Sequence, residues 1–255
     1  MGIAMSTSTS DVPSAPATHA DGPANPARPV VRGISSMATR ALLAELCAAC
    51  ARETGLQAHI EAVGGVDAAK RVAAGESFDV VVLASDAIDK LIAAGHLRAG
   101  SRVDLVRSPV AVAVRAGAPV PRIDSEAALR EAVLAAPSLS VSTGPSGTFV
   151  LQLFERWGLA DTLKPRLVQA PPGVPVGTLV ARGEVALGFQ QLSELLPLPG
   201  ITLLGTLPPA CETITTFSAA PGLHTAQGAA VQALLAYLNS PAAADVKRRH
   251  GMTPA

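Results

Sequence analysis

A chain of 255 residues can form one large domain or two of ordinary size. Hydrophobic residues make up 49% and charged residues 16%, which excludes global disorder and supplies a sizeable core. Lys and Arg number 20, as do Asp and Glu, so the formal charge is zero. That balance argues against a nucleic-acid partner, which needs a basic surface, and against attraction to an anionic membrane. An anion bound here is held by a few local donors. Aromatics are only 3%, so Ala, Val, Leu and Ile build the core, which suits close packing of helices on a sheet.

Residues 1–27 are Ser, Thr, Pro and Ala with scattered Asp and no apolar periodicity, and read as a disordered tail. They contain no basic stretch followed by an apolar run of about 7–15 residues. The sequence as written therefore predicts a cytoplasmic protein, or a periplasmic one if the true start differs. No run reaches the roughly 18 consecutive apolar residues of a transmembrane helix, so no membrane insertion is expected.

From residue 28 onward, strands and helices alternate. A β-rich run at 30–34 precedes an amphipathic helix at 37–54, and Gly55 stops that helix. A strand at 57–63 leads through Gly64-Gly65 into a helix ending near residue 74. Residues 78–84 (Phe-Asp-Val-Val-Val-Leu-Ala) are a continuous apolar run, as in a strand covered on both faces. Ser85-Asp86 caps a helix at 87–94. A long strand at 103–115, interrupted by Arg107-Ser108-Pro109, opens a second series. That series has helices at 125–135, 147–157, 174–181 and from 193, and strands at 139–142, 166–169, 185–190 and 201–204. Another β-rich run at 212–219 leads to two terminal helices, which have no strands of their own to cover. The pattern predicts an α/β fold of two Rossmann-like lobes joined by two crossover strands. Residues 28–108 and 216–255 form one lobe, residues 109–215 the other, and a ligand cleft lies between them.

The three cysteines do not suggest a disulfide framework. Cys47-Ala-Ala-Cys50 has redox or metal spacing but falls inside a helix among Leu42, Leu43 and Leu46, where buried thiols pack as small apolar groups. No second pair completes a zinc site, so no metal and no cofactor are expected.

In open α/β sheets, ligands bind beyond the C-terminal ends of strands, where helix N-termini offer free N–H groups and a positive dipole end. Here those junctions are small and polar: Ser35-Ser36, Gly64-Gly65, Ser85-Asp86, the loop Ser142-Thr143-Gly144-Pro145-Ser146-Gly147, Pro171-Pro172-Gly173 before Val174, and Gln190-Gln191. Each residue taken singly also reads as an ordinary helix cap. The Ser142 loop is no P-loop, because Thr148 stands where a lysine is needed. Arg107, at the break in the first crossover, is either a bidentate carboxylate partner or an exposed arginine at a kink. Asp86 is a cap or a general base. Lys70 faces either the cleft or solvent. The histidines His19, His59, His96, His224 and His250 show no clustering, and there is no G-x-S-x-G elbow for a serine hydrolase.

Three segments carry a family pattern: Gly33-Ile34-Ser35-Ser36-Met37-Ala38, Phe78-Asp79-Val80-Val81-Val82-Leu83-Ala84-Ser85, and Gly183-Glu184-Val185-Ala186-Leu187-Gly188-Phe189-Gln190. From about residue 30 to its end the chain resembles bacterial extracellular solute-binding proteins of the molybdate-binding class, with a type 2 periplasmic-binding-protein fold. The resemblance implies oxyanion-binding serines at Ser35 or Ser36 and at Ser85. That class also has a tyrosine where Phe189-Gln190-Gln191 stands. The chain is closer in appearance to the aconitate isomerases built on this fold, through Val66-Asp67-Ala68-Ala69-Lys70-Arg71-Val72, the Ser142 loop and Pro171-Pro172-Gly173-Val174-Pro175-Val176-Gly177. That likeness implies an allylic proton shift between trans- and cis-aconitate. The substrate-binding candidates are Ser35, Ser36, Ser85, Arg107, Ser142, Thr143, Ser146, Gly147, Val174 and Gln190; Asp86 and Lys70 are the candidates for the acid–base group. The expected partner is a small anionic organic acid or an oxyanion. A permease of the ABC type enters only if the protein is a transport receptor or sensor instead.

Overall fold

The structure, a computed structural model, describes residues 30–255 together with Met1 and Gly2. The tail expected at residues 1–27 thus lies, beyond those first two, outside the described residues. The first series is β1 (Val30–Ser36), α1 (Arg40–Thr54), β2 (Gln57–Val63), α2 (Gly65–Ala73), β3 (Val80–Ala84) and α3 (Ser85–Ala93). Then come β4 (Val103–Arg115), α4 (Glu126–Ala135), β5 (Leu139–Val141), α5 (Pro145–Arg156), α6 (Ala160–Leu163), β6 (Leu167–Gln169), α7 (Val176–Arg182), β7 (Leu187–Gln191), α8 (Leu192–Leu195) and β8 (Ile201–Thr206). The chain finishes with β9 (Ile214–Pro221), α9 (Gly228–Leu238), α10 (Ala243–Arg249) and β10 (Thr253–Pro254).

Most boundaries fall within a few residues of those the periodicity predicts. Two differences have physical causes. Residues 107–109 do not break β4, because Pro109 sits where the strand changes partners and need not donate to a regular ladder. Ser85 is the first residue of α3 rather than its cap, and it makes no capping hydrogen bond.

Hydrogen bonding orders the strands β2-β1-β3-β9-β4-β7-β5-β6, with β8 and β10 also on β4. β1 runs parallel to β2 and β3, and β5 runs parallel to β6 and β7. β4 is 13 residues long, roughly 40 Å at the usual rise. Its Val103–Pro109 half pairs with β9 and its Val110–Arg115 half with β7 and β8.

Five separate apolar clusters surround the sheet among the described residues, and the two largest flank the two halves of β4. One joins Leu42, Leu46, Cys47 and Cys50 of α1 to Val80 and Val82 of β3, and to Val231, Leu234 and Leu235 of α9. The other gathers Val112 and Val114 of β4, Leu129 and Val133 of α4, and Phe154 and Phe189, whose rings meet edge to face at 5.8 Å. Buried Lys247 on α10 donates to the Leu105 carbonyl (2.9 Å) and the Asn239 amide oxygen (3.1 Å), tying the last helix to β4.

Cys47, Cys50 and Cys211 are free and buried. Burial pushes the Cys47 thiol up to about 12, the opposite of what an attacking thiolate needs. Native protein at pH 8 is expected to react with a soluble aromatic disulfide at none of its three thiols on the timescale of minutes, and at all three in denaturant. Fast native labelling of Cys47 or Cys50 would contradict their place in the core.

Candidate functional site

The C-terminal ends of both parallel strand sets open on a cavity of about 860 Å³. β1 brings Ser36, β2 brings Gly64 and Gly65, and β3 brings Ser85 and Asp86. From the other set, β5 brings Ser142 to Ser146, the segment after β6 brings Pro171 to Pro175, and β7 brings Gln190 and Gln191. Thr213 to Phe217, at the start of β9, complete the wall. The volume suits a small molecule.

The hydroxyls at these junctions are not spent on capping. Among the described helices only α4 is capped by its own N-cap side chain, with Ser125 Oγ accepting from Ala128 N–H at 3.1 Å. The short 3-10 turn at Met37–Thr39 and helices α2, α3 and α5 lack such a bond, which leaves first-turn N–H groups without a side-chain cap, while Ser142 Oγ accepts from the Gly144 N–H (3.3 Å) ahead of α5. Ser36 Oγ is buried and finds no partner among the described residues. A buried hydroxyl left unpaired is costly, and an acceptor on a ligand satisfies it. Ser142 and Ser146 share a hydrogen bond of 3.1 Å, which holds the loop before α5 in one conformation.

Ser36, Ser85, Ser142, Thr143, Ser146, Val174, Gln190, Asp86 and Lys70 all line the cavity. Three candidates do not. Ser35 is buried behind the wall and donates to the Glu61 carbonyl (3.4 Å). Arg107 is exposed on β4, where its cross-strand neighbours are Thr216 and Thr253, and it is absent from the cavity wall. Gly147 is absent from the cavity wall. A Cβ there would overlap the Ser142 carbonyl oxygen, so glycine lets α5 sit directly against its own loop. Of the acid–base candidates, Asp86 and Lys70 are both exposed, and Asp86 faces Lys90 on its own helix at 3.5 Å with solvent around both.

The sequence reading missed Glu194. It lines the cavity from α8 as a half-buried residue, and burial of its carboxyl pushes that group up to about 7 while a Gln190 hydrogen bond pulls the other way. The enclosure is built by close packing. Gly188 of β7 lies under Val176 and Val180 of α7, where a Cβ would stand 2.8 and 2.5 Å from their methyl carbons. Gln190, two residues on, faces the same side of the strand. There the Gly177 N–H of α7 donates to Gln190 Oε1 (3.3 Å), and Gln190 Nε2 donates to Glu194 Oε1 (2.8 Å). The backbone donor thus dictates which way the amide points. His96 and Gln191 also line the cavity, and Gln191 Nε2 reaches Thr215 Oγ1 at 2.7 Å. Among the described residues no three His, Cys, Asp or Glu gather as a metal site requires, and no helix is long and apolar enough to cross a membrane.

The sequence pattern described as bacterial extracellular solute-binding protein matches residues 31–253. A Pseudomonas protein described as aconitate isomerase is 38% identical over 229 residues, covering 87% of this chain and 86% of the relative. The molybdate-binding protein ModA of Escherichia coli K12 is 28% identical over 109 residues, covering 43% of this chain and 42% of the relative. Among solved structures, the periplasmic molybdate-binding protein of Azotobacter vinelandii superposes with a TM-score of 0.73 at 21% identity, covering 88% and 98% of the two chains.

The raised Glu194 carboxyl carries a stability consequence. Between about pH 4.5 and 7 the unfolded chain ionises this group while the folded one keeps its proton, so stability falls as pH rises through that window. Above 7 the full cost is present, about 3 kcal/mol. Glu194→Gln is neutral at every pH. Denaturant unfolding is expected to show the variant more stable than wild type at pH 8 and equal to it near pH 4. A variant less stable at pH 8 would contradict the enclosure.

Proposed function

We propose, from the premise that the chain belongs to the bacterial extracellular solute-binding protein family, that it is an isomerase of a small unsaturated polycarboxylate. The reaction is of the trans- to cis-aconitate type: a proton leaves one carbon and another arrives at the far end of the allyl unit, moving the double bond one position. In this reading residues 28–108 and 216–255 form one Rossmann-like lobe and residues 109–215 the other. β4 and the start of β9 are the crossover strands, and the ligand is held between the lobes. The change of partners along β4 and the two largest cores support that division.

The wall of the cavity carries the functional reading. It combines hydroxyls and helix N-termini free of capping duty with space far beyond what one tetrahedral oxyanion fills. Carboxylates of a polyacid accept from Ser36, Ser85 and the Ser142–Ser146 pair, and Lys70 and Lys90 add positive charge at one side. The developing negative charge of a proton abstraction is spread onto the same carboxylates and stabilised by these donors. The extensive similarity to the Pseudomonas aconitate isomerase supports the choice of substrate class.

A second reading is a receptor for an oxyanion or organic acid serving an ABC permease or a regulator. Ser36 and Ser85, at the positions where the molybdate-binding class holds its ligand, favour it. Tyr237, the chain's one tyrosine, does not supply that class's tyrosine here, since it bonds Glu53 from α9 and is absent from the cavity wall.

Purified protein mixed with trans-aconitate is expected to form cis-aconitate, followed by ultraviolet absorbance and chromatography. Binding of such acids without turnover of any of them would contradict the isomerase. In a parallel thermal-shift series, a rise in Tm with molybdate or tungstate alone would establish the receptor instead.

A further inference from the structure

We propose that Glu194 is the catalytic acid–base residue of this reaction and that Gln190 is its positioning residue, an assignment that rests on the isomerase reading above. Four ionisable side chains besides Glu194 line the cavity: Lys70, Asp86, Lys90 and His96. Lys70, Asp86 and Lys90 are exposed on α2 and α3, and two of them face each other. Glu194, on α8, accepts from Gln190 and forms no ion pair among the described residues. A polycarboxylate placed across the cavity sets its charged groups toward the lysines, hydroxyls and helix termini. Its carbon skeleton then lies toward the enclosed carboxyl.

The proton-transferring group is also held in one orientation. Because Gly177 N–H occupies Gln190 Oε1, the Gln190 amide turns its N–H toward Glu194 Oε1, which leaves Glu194 Oε2 for the proton. In the forward step the C–H bond of the substrate methylene breaks and an O–H bond forms on Glu194. The released electron pair enters the conjugated skeleton and spreads onto the adjacent carboxylate. In the return step that O–H bond breaks as a C–H bond forms at the far carbon of the allyl unit, so nothing is oxidised or reduced.

A general base works best when its pKa lies near the operating pH, and burial places Glu194 there. The elements packed on α8 are β4, β7, α7 and the turn at Met37–Thr39. Their ionisable groups are Asp104, Arg107 and Arg115 on β4 and Arg182 on α7. His250, beside the Gly251 that touches Leu192, bonds Glu45. None of these, nor any of the four cavity groups, is hydrogen-bonded or ion-paired to Glu194, whose partner is Gln190.

Turnover of trans-aconitate by wild type, Glu194→Gln and Gln190→Ala is compared across pH 5–9, with binding followed by thermal shift. Glu194→Gln is expected to lower kcat by about 100-fold or more while trans-aconitate still raises its Tm. In Gln190→Ala the rise of kcat/KM with pH moves its midpoint upward, because the lost N–H had favoured the ionised carboxylate. A merely structural role for Gln190 leaves that midpoint in place, which overturns the positioning assignment. Active wild type with Glu194→Gln within tenfold of it overturns the catalytic assignment alone. So does loss of trans-aconitate binding in folded Glu194→Gln, which makes the residue a binding group. Wild type inactive on every unsaturated polycarboxylate removes the isomerase reading, and this assignment with it.

Discussion

Backbone pairing along β4 is the constraint from which the rest follows. A single strand of 13 residues hands its hydrogen bonds from β9 to β7 and β8 near Pro109. The two largest apolar cores must therefore be built outward from the same strand, and the C-terminal ends of the two parallel strand sets come to face one cavity. The terminal β10 pairs with β4 beside Arg107, and Lys247 donates to the Leu105 carbonyl. These contacts hold the first core against β4. Gln191 reaching Thr215 does the same work at the cavity, linking β7 to β9.

The cavity wall runs against the usual economy of helix ends. A serine at a helix start ordinarily satisfies an N–H of the first turn and contributes about 1 kcal/mol. Ser125 does so for α4, whereas Ser36 makes no such bond and Ser85, as the first residue of α3, does not stand in the capping position. An enclosed carboxyl at Glu194 adds a further cost above neutral pH. Both departures lie at one place, and the proposed polycarboxylate would use both, as expected where function opposes stability. With α7 packed closely onto Gly188, Gln190 is oriented by a backbone donor rather than by another side chain.

Much of this was legible in the residues. The period of apolar positions located almost every strand and helix, and the small polar strand ends at Ser36, Ser85, Ser142, Ser146 and Gln190 do line the cavity. Of the two readings open for Arg107, the structure shows the exposed arginine, beside a β10 of two residues that is too short to leave a pattern. Gly147 looked like an opening for a ligand when the close neighbour is the loop's own carbonyl. Glu194 was missed because its enclosure arises only when α7 packs on β7 and α8. A signal was present: it is the only charged residue between Glu184 and Glu212, in an otherwise apolar stretch. A lone carboxylate in such a run is expensive unless the fold has a use for its proton.

A crystal structure of the wild-type protein grown with cis-aconitate shows directly whether Glu194 meets the substrate carbon. The ligand's carboxylates are expected on Ser36, Ser85 and the Ser142–Ser146 pair, with the methylene carbon about 3–3.5 Å from the Glu194 carboxyl. A ligand bound outside the cavity, or bound within it with its carbon skeleton turned away from Glu194, would contradict that role for Glu194.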